Sequence, residues 1–420
     1  MPAQDSQSLN SQDNQKFASN ISTQRLIDVF SIKTPDPGKF LGVVIEESVG
    51  LLASDILFEP GRNEFSVRIR IDGVLYPLGD LSISIYNQLT AKIKVLSGLD
   101  PTDKRKIQEG QFTHKVGERE VNLRVEIAQT IHGELVVFRI HEKSNIIMKL
   151  SQLGFNPQAF EVYKKMLDRN AGLVLSCGPT GSGKTTTLYS TISKLSGNNL
   201  NIMTIEDPVE FVLDGVNQMQ VHNDIGFTFA AGLKTILRLS PDVVLVGEIR
   251  DAETAGIATE SGLTGQLVLS TVHAQDSMSA LFRLVDLGIE AYLLNSSLTG
   301  IVAQRLVRKN CPSCSSPYQP TEDEIAFFQS VIGRPPKQLM KGVGCSECNN
   351  LGYKGRTGIY EVLLMDARLR DLLRSKVNED TLRKNLMQSG FMSLLVDGLL
   401  KCEMGITTIS EVLRNGFRVV

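Results

Sequence analysis

The run Gly178-Pro179-Thr180-Gly181-Ser182-Gly183-Lys184-Thr185 has the G-x-x-x-x-G-K-[ST] spacing that suits a polyphosphate. Glycines lack a Cβ, so successive backbone N–H groups can turn inward onto anionic oxygens. Lys184 is placed to reach the β and γ phosphates, the Thr185 hydroxyl suits Mg²⁺, and Thr186 is grouped with them as nucleotide-binding. Leu173–Ser176 reads as a strand before the loop, and a helix is expected from about Gly183, its N-terminal dipole favouring anions. The loop implies a bound nucleoside triphosphate.

Two acidic clusters follow strand-like runs. Val243–Val246 reads as a buried strand ending in Gly247-Glu248. Many phosphate-loop enzymes place an Asp at this strand end to hold Mg²⁺. Gly247 fills that slot here, which leaves Glu248 to orient or deprotonate the attacking water. Glu206 opens the cluster Glu206-Asp207-Pro208-Val209-Glu210 after the run Ile202–Ile205. Carboxylates at the C-terminal ends of parallel strands converge where such sheets bind ligands, so Glu206 is expected to be an acidic assistant. Solvated acidic loops are the competing reading, more so for Glu210 than for Glu206 and Glu248. His273 closes the run Leu267–Thr271 at the same edge, either as a γ-phosphate sensor or as a structural hydrogen-bonding group.

Cys311-x2-Cys314 and Cys345-x2-Cys348 form a second constellation. Four thiolates in two such pairs suit a closed, structural Zn²⁺ site. Redox disulfides are the competing reading. Cys177 and Cys402 read as buried small hydrophobes.

These groups need elements to hold them. Residues 1 to about 22 are rich in Gln, Ser, Asn and Asp and read as a flexible tail. Phe65, Val67, Ile69 and Ile71 alternate with polar residues, the mark of a half-buried strand, and Asp72-Gly73 offers a tight turn. Val121–Ala128 and Glu134–Ile140 read as two more strands around His132-Gly133. This part predicts a small α+β domain. Beyond about Ile147, unbroken aliphatic runs alternate with helical stretches, which predicts a parallel sheet covered on both faces. Leu306–Gly358 reads as a small insertion with little core of its own, and Arg368–Arg414 as helical.

Composition narrows the function classes. The 420 residues carry 44 basic and 46 acidic side chains, a net charge of −2. A protein that coats nucleic acid usually carries a basic excess. With 42% apolar and 21% charged residues the chain is of soluble globular type, and the absence of Trp leaves a mostly aliphatic core. No apolar run approaches the length of a membrane span, and the polar N-terminus is not a secretory signal. The expected compartment is the cytoplasm.

Taken together, GPTGSGKTTTLY, IEDPVEF, PDVVLVGEIRDAETA and TGQLVLSTVHA closely resemble the secretion ATPases of type II secretion and type IV pilus assembly, in that family's order and spacing. The resemblance runs from about Asp55 to Leu413 and takes in ASDILFEP, VRIRIDGVL and KIKVLSGLD. It implies an α/β fold: a RecA-like P-loop motor domain with a parallel sheet, preceded by a small α+β domain, with a tetracysteine zinc element and a helical C-terminus. The expected boundaries are a tail over 1–24, the N-terminal domain over 25–145, the motor core over 146–305, the zinc element over 306–360 and the helical subdomain over 361–420.

The resemblance further implies ATP hydrolysis by a homo-hexamer with ATP, Mg²⁺ and structural Zn²⁺ as cofactors. The motor would be cytoplasmic, peripheral at the inner face of the bacterial inner membrane, and held there by a platform protein of a pilus or secretion machine. Arg124 and Arg139 match the family's phosphate-touching arginines; by themselves they read as exposed strand residues. No direct nucleic-acid substrate is expected, and a DNA-translocating motor on the same core is the alternative. The sequence departs from the family pattern at Gln266, where many members have a His, and in DILFEP. Only about 30 residues stand between the tail and Ala53, where many members carry a docking domain. The tetracysteine element favours an extension or export role over retraction.

Overall fold

The computed structural model describes residues 23–141, 147–375 and 378–416. The tail expected over 1–24 lies, up to residue 22, outside the described residues.

The chain forms two compact units. The first holds the described residues before 142 together with Cys311–Ser316 and Gly342–Gly355. It begins with helices α1 (Gln24–Ser31) and α2 (Pro37–Gly50), then β1 (Ala53–Pro60), β2 (Glu64–Ile71), β3 (Val74–Ser82), α3 (Tyr86–Leu96), β4 (Gln108–Val116), β5 (Arg119–Thr130) and β6 (Gly133–His141). These strands make one antiparallel sheet in the order β3-β2-β1-β6-β5-β4. The alternation read in the sequence is the physical basis of this sheet. Phe65, Val67, Ile69 and Ile71 point into a core shared with Phe40, Val44, Leu89 and Ile93 of α2 and α3. Asp72 and Gly73 both adopt positive φ (48° and 83°), the geometry of a tight primed hairpin turn.

The polar face of the sheet carries a cross-strand row. Arg124 faces Arg139, Arg139 faces Asp55, and Asp55 faces Arg70. Asp55 pairs with Arg139 at 3.6 Å and with Arg70 at 3.3 Å. One carboxylate thus serves two of three guanidiniums.

The cysteine segments belong to this unit. The Gly355 N–H donates to Asp72 Oδ2 at 2.9 Å, and Leu351 packs on the unit's core. A two-stranded sheet, β13 (Ser315–Tyr318) with β14 (Leu339–Gly342), closes the loop between the cysteine pairs.

The second unit is built on α4 (Pro157–Leu167), β7 (Gly172–Cys177), α5 (Lys184–Leu195), β8 (Ile202–Glu206), β9 (Asn217–Gln220), α6 (Phe229–Ile236), β10 (Val243–Val246), α7 (Ala252–Leu263), β11 (Leu267–Val272), α8 (Ser277–Asp286), α9 (Ala291–Ser297), β12 (Leu298–Asn310), α10 (Glu322–Ile332), β15 (Tyr353–Leu364) and the closing helices α11 (Ala367–Arg374), α12 (Glu379–Gln388), α13 (Leu394–Glu403) and α14 (Ile409–Arg414). Its sheet runs β15-β12-β7-β11-β10-β8-β9, and from β12 to β9 neighbouring strands are parallel. Every residue of β7, β8, β10 and β11 is buried, as a parallel sheet under two helical layers requires. Leu173, Val244 and Val268 pack with helices α6 to α8, whereas Val174, Leu245 and Leu269 pack with α4 and α5.

The loop between β13 and β14 is not featureless. Phe328 of α10 is fully buried in a small cluster with Leu339, Leu395, Leu399 and Cys402. Cys177 and Cys402 are both fully buried, as small apolar groups would be.

Candidate active site

β7 ends at Cys177, and the chain turns through Gly178 to Gly183 before α5 starts at Lys184. Glycine is needed at two points here. A Cβ on Gly178 would lie 2.5 Å from Ser182 Oγ and 2.6 Å from the Gln304 carbonyl, and Gly183, which caps α5, has φ +89°. Gln304 of β12 braces the loop: its Nε2 donates to Ser182 O at 2.9 Å, and its Oε1 accepts from Ser176 Oγ at 3.2 Å. Lys184 Nζ donates to the carbonyls of Gly178 (2.9 Å) and Pro179 (3.1 Å). Burial holds its ammonium below the ordinary lysine value, against the raising effect of Cys177 and Glu248.

The loop and the strand ends enclose a cavity of about 450 Å³. Thr180 to Thr186, Glu206, Asp207, Glu210, Glu248 and His273 all contribute to its wall; Gly178 and Pro179 shape the loop behind it. Glu248 lies just past β10 with its side chain 14% exposed. The Arg250 guanidinium donates to Oε1, and His273 Nε2 lies 3.5 Å from Oε2. The carboxylate raises the already high pKa of Arg250, mainly through that hydrogen bond. A Cβ on Gly247 would lie 3.4 Å from Glu206 Cα and from Ile205 O, an ordinary contact distance, so space alone does not require glycine there.

Glu206 is the last residue of β8 and is buried. Its Oε1 accepts from Thr204 Oγ1 at 2.5 Å and from Gln218 Nε2 at 3.2 Å, while its Oε2 accepts from the Tyr189 hydroxyl. Thr204 lies two residues back and so projects from the same sheet face.

Gln266 precedes β11, at the end opposite His273. A six-residue strand spans about 20 Å, so position 266 lies far from the cavity wall. A change there leaves the cavity's own histidine in place.

The sequence reading missed Arg250 on Glu248, Tyr189 on Glu206, Gln304 on the loop, and Phe229 and Arg356 in the cavity wall. Arg250 had a local signal, standing two residues after a carboxylate at a strand end. The others meet the site only through the fold.

The four cysteines converge. The Cys311–Cys345 and Cys314–Cys348 sulfurs are 3.8 Å apart, Cys345–Cys348 3.7 Å, and all lie within 4.8 Å of one another. A tetrahedron with metal–sulfur bonds near 2.3 Å has edges of about 3.8 Å. All six cysteines of the chain are free thiols. The cluster fits a tetrahedral thiophilic metal, Zn²⁺ above all.

Arg124 and Arg139 are carried by the other unit, side by side in register on β5 and β6.

Several solved structures share the fold. The Legionella pneumophila ATPase DotB superposes with a TM-score of 0.64 at 22% identity, covering 90% of this chain and 95% of that one. The pilus retraction motor PilT, solved with ADP, gives 0.57 at 24% identity over 90% and 97%. Nearer in sequence are the type IV pilus assembly ATPase PilB of Myxococcus xanthus, 42% identical over 90% of this chain and 67% of that protein, and the type II secretion system ATPase E of Vibrio cholerae, 42% identical over 90% and 74%. The model of the type II/IV secretion system protein family matches residues 38–414. A match over that span takes in the phosphate loop, both acidic clusters and all four paired cysteines, and it settles the kinship: the chain belongs to the type II/IV secretion system protein family, among the ATPases of type II secretion and type IV pilus assembly.

Proposed function

We propose that the protein is a cytoplasmic, hexameric ATPase motor that drives assembly of a type IV pilus or a type II secretion pseudopilus from the inner face of the inner membrane. The observation that carries this reading is the meeting of Lys184, Glu248 and His273 on one cavity beside the phosphate loop, in a chain of this family.

The phosphates of ATP bind to the loop N–H groups and the Lys184 ammonium, which exchanges its carbonyl partners for phosphate oxygens. Glu248 orients the attacking water and accepts its proton as the γ-phosphoryl leaves for the water oxygen. Arg250 and His273 hold the two carboxylate oxygens in place. Thr185 would hold Mg²⁺, which would supply charge neutralisation on the phosphate oxygens, and Glu206 is the acidic assistant beside it. Arg124 and Arg139, paired in register, offer two guanidiniums to one polyphosphate and stabilise the charge that builds up in the transition state. Cys311, Cys314, Cys345 and Cys348 would hold a structural Zn²⁺. An inner-membrane platform protein receives the motion, and membrane attachment runs through that partner. Among the described residues no helix is long and apolar enough to cross a membrane.

The test is a Glu248→Gln allele in the native host, with surface fibres and secreted proteins scored together. Loss of either, with the protein still present, supports the reading and tells pilus from secretion. Normal fibres and a normal supernatant overturn it, and hydrolysis stimulated by DNA would point to a translocase instead.

A further inference from the structure

We propose that Tyr189 is a positioning residue for hydrolysis, its hydroxyl tying the phosphate-loop helix to the carboxylate of Glu206. The inference rests on the assignment of Glu206 as the acidic assistant. Tyr189 lies five residues into α5, the helix whose first turn carries Lys184 and Thr185. Its ring is 1% exposed and packs edge-on against Phe211 at 4.6 Å. Packing alone would be met by phenylalanine. The hydroxyl donates to Glu206 Oε2 and lies 3.4 Å from the Glu210 N–H, so it touches both ends of the Glu206–Glu210 loop.

The two oxygens of Glu206 are held differently. Oε1 is fixed from β8 and β9 by Thr204 and Gln218, elements of the sheet itself. Oε2 is fixed from α5, whose N-terminus takes up the phosphates. The carboxylate is therefore referenced to the sheet through one oxygen and to the phosphate loop through the other. Burial and the neighbouring carboxylate raise the phenol's pKa, so it remains a donor at neutral pH. Without the hydroxyl, the Glu206 carboxylate is held through Oε1 alone and can turn about its terminal torsion, which is soft for a Glu side chain and swings both oxygens together. ATP binding does not need that orientation; the chemical step does.

The experiment compares Tyr189→Phe, Phe211→Leu, Glu206→Gln and the Tyr189→Phe/Glu206→Gln double variant of the full chain in steady-state ATP hydrolysis, with thermal melts run alongside. The expected result for Tyr189→Phe is a kcat lowered roughly tenfold, the effect of one hydrogen bond to a charged group, with KM for ATP within about twofold. Phe211→Leu, which loses the ring contact and keeps the hydroxyl, holds the wild-type kcat. In the Glu206→Gln background, Tyr189→Phe adds nothing further. A wild-type kcat in Tyr189→Phe beside a crippled Glu206→Gln overturns the positioning role alone. Full additivity in the double variant, or a kcat loss in Phe211→Leu matching that of Tyr189→Phe, overturns it as well. A wild-type rate in Glu206→Gln removes the assistant role on which it rests.

Discussion

Removing metal from the four-cysteine cluster should open a defined part of the first unit and leave the motor sheet standing. The magnitude follows from the sulfur spacing. Two thiolates 3.8 Å apart repel by about 4 kcal/mol at an effective dielectric of 20, and four of them form six such pairs. Without a cation the cluster cannot hold four thiolates at this distance and must take up protons or spread. With Zn²⁺ the balance reverses: structural zinc sites in small peptides contribute about 10–16 kcal/mol, as large as the roughly 5–15 kcal/mol that holds a whole domain. The segments concerned have little else to order them, since Cys311 and Cys348 are the buried side chains there beside Gly352, and Leu351 supplies the adjoining apolar contact. The assay is metal analysis followed by hydrogen exchange, because the chain has no Trp to report unfolding by fluorescence. Purified protein should carry one zinc per chain. After chelation, the amides of Cys311 (bonded to Gly352 O, 2.9 Å), Val343 (to Cys314 O, 3.2 Å), Asn350 (to Cys345 O, 2.8 Å) and Gly355 (to Asp72) should lose protection, while β7, β10 and β11 keep theirs. Protein free of zinc as isolated, or unchanged protection at these four amides after verified zinc loss, would refute the reasoning.

Arg124→Ala and Arg139→Ala should each lower kcat by about 10³-fold, the lower end of what transferred arginines contribute, with nucleotide binding retained; a rate near wild type in either would remove it from the site. Lys401→Met leaves Asp397 buried at 1% exposure with Asn156 and the Tyr360 N–H but no cation, and should cost about 3–5 kcal/mol in chemical denaturation, more than replacing both partners by apolar residues. Hydrogen bonding by Arg334 pulls the Glu403 carboxyl down to about 2. A depressed acid stabilises above its unfolded value, near 4.3, and loses that contribution as the pH falls toward 2. Arg334→Gln should therefore flatten the acid limb of the stability curve between about pH 4 and 2, and an unaltered limb counts against the pair.

The parts of the molecule legible in the sequence were those set by short-range pattern. The phosphate loop with its strand and helix, the buried runs at 243–246 and 267–272, the Asp72-Gly73 turn and the cysteine pairs all follow from residue type at fixed spacing. The order of the parallel strands is a tertiary result, and it decides which groups meet. It sets β8 beside β10, which brings Glu206 and Glu248 to one cavity wall, and it sets β12 beside β7, which delivers Gln304 to the loop. Tyr189 and Glu206 are 17 residues apart on a helix and a strand, and no periodicity links them. Leu306–Gly358 read as one small insertion, yet in the structure its cysteine segments group with the first unit while α10 packs Phe328 against the closing helices. Sparse apolar content in a segment shows that it lacks a core of its own. It does not show whose core the segment borrows.

The central claim is that Glu248 drives ATP hydrolysis in the cavity walled by the phosphate loop, and a single-turnover measurement on Glu248→Gln tests it most directly. ATP is bound in excess of protein sites, unbound nucleotide is removed, and the bound fraction converted to ADP is followed with time. The account predicts full ATP occupancy, as in the wild type, and conversion slowed by at least about a hundredfold, in line with the loss of a positioned general base. Conversion at the wild-type rate with normal occupancy would contradict it.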